Sequence, residues 1–194
     1  LSLEIMSDDK EEKESKERIS IFIDGSNLYY SLKALEISRI DFQKLVDLLK
    51  KDRLLVNIFY YNAPLDISID PQKYWDQQKF FAALRKIPGF NVILCRMRKH
   101  TKEDGSFEFE VKGDDVYLAT DLISGAYENL YDTALIVSGD EDFVPAIKKV
   151  QKLGKKVENI YFKSTSSNYL KSVCNTSRCL DKEVSKIILA RKKK

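Results

Sequence analysis

Acidic side chains follow two apolar runs of this chain, at the points where the runs end. Asp24 comes directly after Ile21–Ile23, and Asp140 lies three residues past Leu135–Val137. A third acidic pair, Asp114–Asp115, opens a segment with helical character. The carboxyl ends of parallel strands share one edge of a sheet, and ligands bind there. We therefore expect Asp24 and Asp140 to face each other if their strands are neighbours.

Carboxylates gathered in one pocket repel each other and take up protons unless a cation neutralises them. An oxygen-only cluster suits Mg²⁺ or Mn²⁺, since the chain has one histidine and no cysteine nearby in sequence. Mg²⁺ takes its remaining ligands from water and substrate phosphates, which indicates a phosphodiester or a phosphate ester as the substrate. One ion, or two about 4 Å apart, can position a water and stabilise the leaving oxygen. The pattern predicts metal-assisted hydrolysis.

Each of these acidic residues also has an ordinary structural explanation. Asp24 before Gly-Ser can form a tight turn, and Asp140 can cap the helix that follows it. Three others suit the first turn of a helix, where the dipole favours negative charge without a ligand: Asp114, Asp115 and Asp142. Asp121 lies further along the same predicted helix and either points the same way or is solvated. For any one of these residues alone, the structural explanation is preferred. Taken together, the acidic residues favour a functional cluster.

Short apolar runs alternate with helical patterns from Ile19 onward, which is typical of a mainly parallel sheet covered on both faces. The pattern predicts an α/β fold with about five strands, over residues 19–24, 54–62, 90–95, 133–138 and 156–162. Helices are predicted over 26–35, from 42, over 71–87, 114–126 and 142–153, and a hairpin with an Asp-Gly turn over 96–111. Residues 164–173 and 182–194 are expected to be helical or loose.

Three segments resemble the signature motifs of a known family. They are Phe22–Tyr29 (FIDGSNLY), Lys112–Asp121 (KGDDVYLATD) and Val137–Pro145 (VSGDEDFVP). Together, and in this order, they resemble the NYN domain in its LabA-like branch, over about 19–162. The resemblance implies a Rossmann-like three-layer α/β/α sandwich similar to PIN and FLAP nucleases, with an acidic cluster that binds Mg²⁺ or Mn²⁺. The implied activity is RNA cleavage or processing. We predict an endoribonuclease, although the sequence leaves open whether cutting is internal or from an end.

The same resemblance assigns roles to individual positions. The implied catalytic residues are Asp24, Asn27, Asp115, Asp140 and Asp142. The implied metal ligands are Asp24, Asp115, Asp140, Asp142, Asp121 and Asp114. Asp114 stands where the LabA-like pattern usually has an apolar residue, so which member of the Asp114–Asp115 pair faces the metal is left open. Ser26 and Ser138 are candidates to orient carboxylates or water, with turn capping as the alternative.

The formal net charge of +3 combines unlike parts of the 194-residue chain. Leu1–Arg18 holds seven acidic and four basic residues, a net −3 that leaves +6 on the remainder. We expect 1–18 to be a disordered acidic tail without the features of a signal peptide, 19–180 to be a single domain, and 181–194 to be a helix or basic tail. The 43% hydrophobic content excludes global disorder and a disulfide miniprotein.

Cations cluster around the third predicted strand and the hairpin, just before the middle acidic motif. We expect the following of them to bind an RNA backbone: Arg96, Arg98, Lys99, Lys102 and Lys112. Four aromatic residues could stack on unpaired bases, although each could instead belong to the core: Tyr29, Tyr30, Tyr61 and Trp75.

The leading hypothesis is a Mg²⁺- or Mn²⁺-dependent ribonuclease that acts on single-stranded or structured RNA. The alternative is an RNA-binding or regulatory module with the same fold and little catalysis. A phosphatase or nucleotide hydrolase is a third hypothesis, but the chain has no P-loop or GxGxxG motif. Three cysteines without CxxC spacing suggest a cytoplasmic protein, and no apolar run reaches the roughly 18 residues of a membrane span. The oligomeric state is left open, with a homodimer as one alternative.

Overall fold

Parallel strands form the centre of the computed structural model, which describes residues 15–102, 104–105 and 107–189. The strands are β1 Arg18–Asp24, β2 Leu54–Asn62, β3 Phe90–Leu94, β4 Arg96–Thr101, β5 Phe107–Lys112, β6 Thr133–Val137, β7 Lys156–Tyr161 and β8 Thr176–Cys179. The α-helices are α1 Gly25–Ala34, α2 Phe42–Lys50, α3 Pro71–Leu84, α4 Asp114–Tyr127, α5 Val144–Lys152 and α6 Asn168–Val173. Short 3₁₀ helices span Glu141–Phe143, Lys163–Thr165 and Val184–Lys186.

Six strands form one sheet in the order β3-β2-β1-β6-β7-β8, and all five pairings are parallel. The chain runs outward from β1 to β3 and later returns to β6 on the other side of β1. This reversal places the carboxyl ends of β1 and β6 side by side, which is the switch point where open α/β sheets bind ligands. β1 and β6 are therefore neighbours, which is the condition under which Asp24 and Asp140 were expected to face each other.

The side chains of β1 alternate between two cores because successive residues of a strand point to opposite faces. Ile21 is fully buried on one face, in a cluster with Leu45 of α2 and Phe81 of α3. Phe22 points to the other face, where it joins Leu122 of α4 and a second cluster. The helices therefore cover both faces, and the expected three-layer α/β/α architecture is confirmed.

The sheet has six strands where about five were predicted. β8 was not predicted, because its sequence Thr-Ser-Arg-Cys contains no apolar run. It pairs with β7 and forms the edge of the sheet, a position where proteins often have short strands. The predicted hairpin forms from β4 and β5 as a separate antiparallel pair directly after β3.

The predicted domain boundaries at residues 18 and 180 remain predictions. Most of the predicted acidic tail, residues 1–14, and the basic residues 190–194 lie outside the described residues. The described part of 181–194 contains the 3₁₀ helix Val184–Lys186 and one bridge between Ile188 and Ile40. Among the described residues, no helix has the length and apolar character needed to cross a membrane.

Candidate metal centre

Three carboxylates converge at the carboxyl edge of the sheet. Asp115, Asp140 and Asp142 each offer one oxygen, and the three oxygens lie within 4.8 Å of one another. Asp115 belongs to the first turn of α4, which begins just after Gly113 turns the chain with a φ of +93°. Glycine adopts this left-handed backbone without steric cost, so it suits the sharp exit from β5.

The loop after β6 supplies the other two carboxylates. Asp140 caps the 3₁₀ helix Glu141–Phe143, and its Oδ1 accepts a hydrogen bond of 2.9 Å from the backbone N–H of Asp142. The capping role anticipated for Asp140 is therefore real, and it coexists with the convergence of the carboxylates. The tight turn holds Asp140 and Asp142 together on one side of the loop.

Asp24 ties the end of β1 to the end of β6. Only 7% of it is exposed, and both of its carboxylate oxygens accept hydrogen bonds. Oδ1 accepts from the backbone N–H of Asn27 at 2.9 Å, which caps α1, and Oδ2 accepts from Oγ of Ser138 at 2.9 Å. Oγ of Ser138 accepts in turn from the N–H of Asp140 at 3.1 Å. Asp24 thus supports, through Ser138, the loop that carries two of the three converging oxygens.

Asn27 connects the same loop to a third element. Its Oδ1 accepts hydrogen bonds from the N–H of Gly139 at 3.1 Å and from Oγ1 of Thr165 at 3.0 Å. Gly139 is needed at this point because a Cβ there would lie 1.9 Å from the carbonyl oxygen of Thr165. The loop after β6 is therefore packed directly against the turn after β7.

Negative charge is unfavourable at this site in the metal-free protein. Burial raises the pKa of Asp24 despite the hydrogen bonds from Asn27 and Ser138, and the charges of Asp114 and Asp140 raise it further. Burial, followed by the surrounding carboxylates, raises the pKa of Asp115 to about 6. An all-oxygen donor set with this repulsion fits a hard divalent cation such as Mg²⁺ or Mn²⁺.

Three of the six predicted ligands lie outside the triad: Asp24, described above, and Asp114 and Asp121. Asp114 is near enough for its charge to act on both Asp24 and Asp115, but the three converging oxygens do not include one of its own. Asp121 accepts a hydrogen bond of 2.9 Å from the hydroxyl of Tyr61. It also lines a separate cavity of about 180 Å³ between α4 and the sheet.

Sequence reasoning missed Cys95, which was not expected near the acidic cluster. It is buried directly after β3, and its pKa is raised to about 11 by burial and by the charges of Asp114 and Asp115. The thiol is therefore protonated at neutral pH. β3 ends at the same edge of the sheet as β1 and β6, so the rule that identified Asp24 would also have identified Cys95. Thr165, which follows β7 at the same edge, was also missed, and the same rule would have identified it.

A groove of about 760 Å³ runs beside the acidic cluster. Pro64, Leu65 and Asp66 form one wall, and Cys95 lies on its lining close to Asp114. The hairpin side of the groove contributes Met97 and four cations: Arg96, Arg98, Lys99 and Lys112. Lys102, the fifth predicted RNA contact, is not part of this lining.

The four aromatic candidates have different environments. Tyr29 and Tyr30 of α1 are exposed by 59% and 60%, and their rings pack edge to face with centroids 5.4 Å apart. Trp75 of α3 is 55% exposed. Tyr61 is buried, as the core alternative anticipated, and its hydroxyl is engaged by Asp121. Tyr61 is therefore not available to stack on a base.

Comparison with known proteins identifies the family. The NYN domain matches residues 18–181, which includes the sheet, the acidic cluster and the groove. The chain belongs to the NYN domain family. The NYN match and the parallel sheet together give it a PIN-like nuclease fold. The sequence matches none of the curated proteins with which it was compared.

Two solved structures are similar to this NYN chain to different degrees. VPA0982 from Vibrio parahaemolyticus, a protein of unknown function, is 27% identical with a TM-score of 0.69, over 91% of this chain and 98% of that one. The nicotinic acid mononucleotide adenylyltransferase of Plasmodium falciparum is 11% identical with a TM-score of 0.34, over 84% of this chain and 73% of that one. The second similarity is too weak to bear on fold or function.

We predict that Asp115→Asn stabilises the metal-free protein at pH 7.5. The raised pKa means that protonated Asp115 favours the fold below its unfolded pKa near 4, and that this contribution is lost as the pH rises through about 6. The gain is about 1 kcal/mol after allowance for solvent screening, or about 2–4 °C in Tm, and it shrinks towards pH 4. Thermal unfolding in chelator between pH 4 and 8 measures it.

The matched control is Asp52→Asn, which alters an exposed carboxylate before β2, at the opposite edge of the sheet. We expect no gain from this variant. A lower Tm for Asp115→Asn than for the wild type at pH 7.5 would contradict the inferred repulsion.

Proposed function

We propose that this NYN protein is a Mg²⁺- or Mn²⁺-dependent endoribonuclease of the LabA-like branch. The observation that carries the proposal is the convergence of Asp115, Asp140 and Asp142 within 4.8 Å at the switch point of the sheet. The same edge carries a buried fourth aspartate, Asp24, and a cationic groove adjoins it. Acidic groups beside a basic groove suit a reaction on a phosphodiester.

Asp115, Asp140 and Asp142 would hold the ion. When bound, it would act as a Lewis acid towards the phosphate and activate a water for attack. Asp24 shapes the loop through Ser138, so it positions the Asp140 backbone without belonging to the converging triad. Asp115 must lose its proton before it can bind a cation, so its raised pKa of about 6 predicts that cation affinity falls as the pH drops below that value.

RNA is the proposed partner because the groove presents four cations, one of which, Lys112, lies three residues before Asp115 of the acidic cluster. Arg96, Arg98 and Lys99 are exposed on one strand of the hairpin, and Lys112 lies opposite Arg96 on the other. Such side chains neutralise phosphates without reading sequence. The exposed rings of Tyr29 and Tyr30 are candidates for stacking on unpaired bases.

A cytoplasmic location is part of the proposal and rests on the three cysteines, all of which are unpaired. Cleavage within a strand, rather than from an end, is also proposed. A circular RNA has no ends, so its cleavage distinguishes the two modes directly.

We predict that Asp140→Asn abolishes Mn²⁺-dependent cleavage of a circular RNA while the fold is retained. The substitution removes one converging carboxylate, and we expect a loss of about 100-fold or more, the scale of removing one preorganised electrostatic group. Cleavage is followed by gel electrophoresis, and the fold by circular dichroism and Tm. Asp52→Asn serves as the control and should cleave like the wild type.

The other outcomes separate the competing functions. Equal cleavage by Asp140→Asn and the wild type would refute this site. Salt-dependent RNA binding without turnover in any divalent metal would favour the RNA-binding module. Hydrolysis of mononucleotides with intact RNA would favour a small-substrate phosphatase.

We predict that Arg96→Gln combined with Arg98→Gln weakens RNA binding similarly for unrelated sequences. Each lost phosphate contact should reduce the slope of log Kd against log salt by about 0.7–1. Fluorescence anisotropy in the presence of chelator measures binding without cleavage. Lys152→Gln is the control, because this exposed lysine ends α5 on the half of the sheet remote from the hairpin. An equal effect of the control would show that the groove has no special role.

A further inference from the structure

The side chain of Asn27 is held by donors from two different loops. The backbone N–H of Gly139, after β6, and the hydroxyl of Thr165, after β7, both donate to its Oδ1. Asn27 itself lies in the first turn of α1, after β1. One amide oxygen therefore joins the carboxyl ends of three parallel strands. One of these strands, β6, leads into the loop that carries Asp140 and Asp142.

The directions of these hydrogen bonds follow from the chemistry of the groups. An amide oxygen only accepts, so the hydroxyl of Thr165 must use its one proton towards Asn27. Ser31 Oγ lies 2.7 Å from Thr165 Oγ1, and Ser31 is fully buried. Because the proton of Thr165 is already committed, Ser31 is the donor in this pair. The bonds form a one-way chain from Ser31 through Thr165 to Asn27.

Backbone contacts fix the turn around Thr165 against the loop after β6. The N–H of Ser167 donates to the carbonyl of Gly139 at 3.0 Å. The carbonyl oxygen of Thr165 occupies the space that a side chain at position 139 would need. Gly139 is therefore held at its N–H by Asn27 and at its carbonyl by Ser167. The next residue along the chain is Asp140.

We propose that Thr165 is a positioning residue for the metal centre and that it acts through Asn27. The Thr165 hydroxyl holds the Asn27 oxygen in the orientation that anchors the Gly139 N–H, and this anchor sets the position of the Asp140 and Asp142 carboxylates. The partners of the Thr165 hydroxyl are Asn27 and Ser31 rather than the carboxylates, and Thr165 lies outside all three acidic motifs. The inference rests on the proposed function, since it assumes that the three carboxylates bind a divalent cation.

The test compares Thr165→Val, which removes the hydroxyl at nearly constant volume, with Thr165→Ser, which keeps it. Mn²⁺ affinity of the full chain is measured by isothermal titration calorimetry, and by the electron paramagnetic resonance signal of free Mn²⁺. We expect Thr165→Val to bind Mn²⁺ about 10–100-fold more weakly, the usual cost of losing an outer hydrogen bond that orients metal ligands. Thr165→Ser should bind like the wild type.

Thr133→Val is the matched control for simple loss of a hydroxyl. Thr133 is fully buried at the amino end of β6, and its Oγ1 donates to Glu17 at 2.6 Å, at the opposite edge of the sheet. We expect this variant to lower Tm while leaving Mn²⁺ affinity unchanged. An equal loss of affinity in Thr133→Val and Thr165→Val would show a general effect of stability and would overturn the proposal.

Two further outcomes also overturn it, and both are distinct from failure of the proposed function. Wild-type affinity in Thr165→Val, with binding lost in Asp140→Asn, would show a metal site that does not need Thr165. Weak binding by Thr165→Ser would show that the hydroxyl is not the group that matters. If the wild type itself binds no Mn²⁺, the proposed function fails, and the positioning role fails with it.

Discussion

Like charges held close together are the constraint on which the rest of this structure depends. Asp115, Asp140 and Asp142 converge although the buried surroundings and mutual repulsion raise the pKa of Asp115. Asp24, whose charge also acts on Asp115, is almost fully buried. Such an arrangement persists only if the surrounding fold holds it. Here it is held by parallel strands whose side chains are buried on both faces and by hydrogen bonds that join their ends.

At the switch point, hydrogen bonds from several polar side chains connect the ends of the strands. Asp24 and Ser138 connect β1 to the loop after β6, and Asn27 and Thr165 bring in the turn after β7. Asp24 also caps helix α1, and Asp140 caps the 3₁₀ helix, so the contacts that hold the carboxylates also stabilise the starts of these helices. Beside the carboxylates, the cations of the hairpin provide the opposite charge. An anionic polymer would be attracted to the groove, and a divalent cation would be attracted to the carboxylates.

Part of this site could be predicted from sequence because Asp24 and Asp140 lie at or just beyond the ends of apolar strands. Asp24 and Asp140 were assigned to one edge of the sheet from that position alone, and the parallel pairing of β1 with β6 brings those ends together. Asp121 shows the limit of this reasoning. Helical spacing could not show that its side chain would meet the hydroxyl of Tyr61 rather than the triad. Thr165 and Cys95 follow strands too, but neither carries a charge that drew attention to it. β8 lacked any apolar signal.

Anomalous diffraction from a crystal soaked in Mn²⁺ is the most direct test of the central claim, that the converging carboxylates form a divalent-metal site. The account predicts an anomalous peak at the switch point, about 2.1 Å from carboxylate oxygens of Asp115, Asp140 and Asp142. An absent peak under saturating Mn²⁺, or a peak elsewhere with the three carboxylates dispersed, would contradict it.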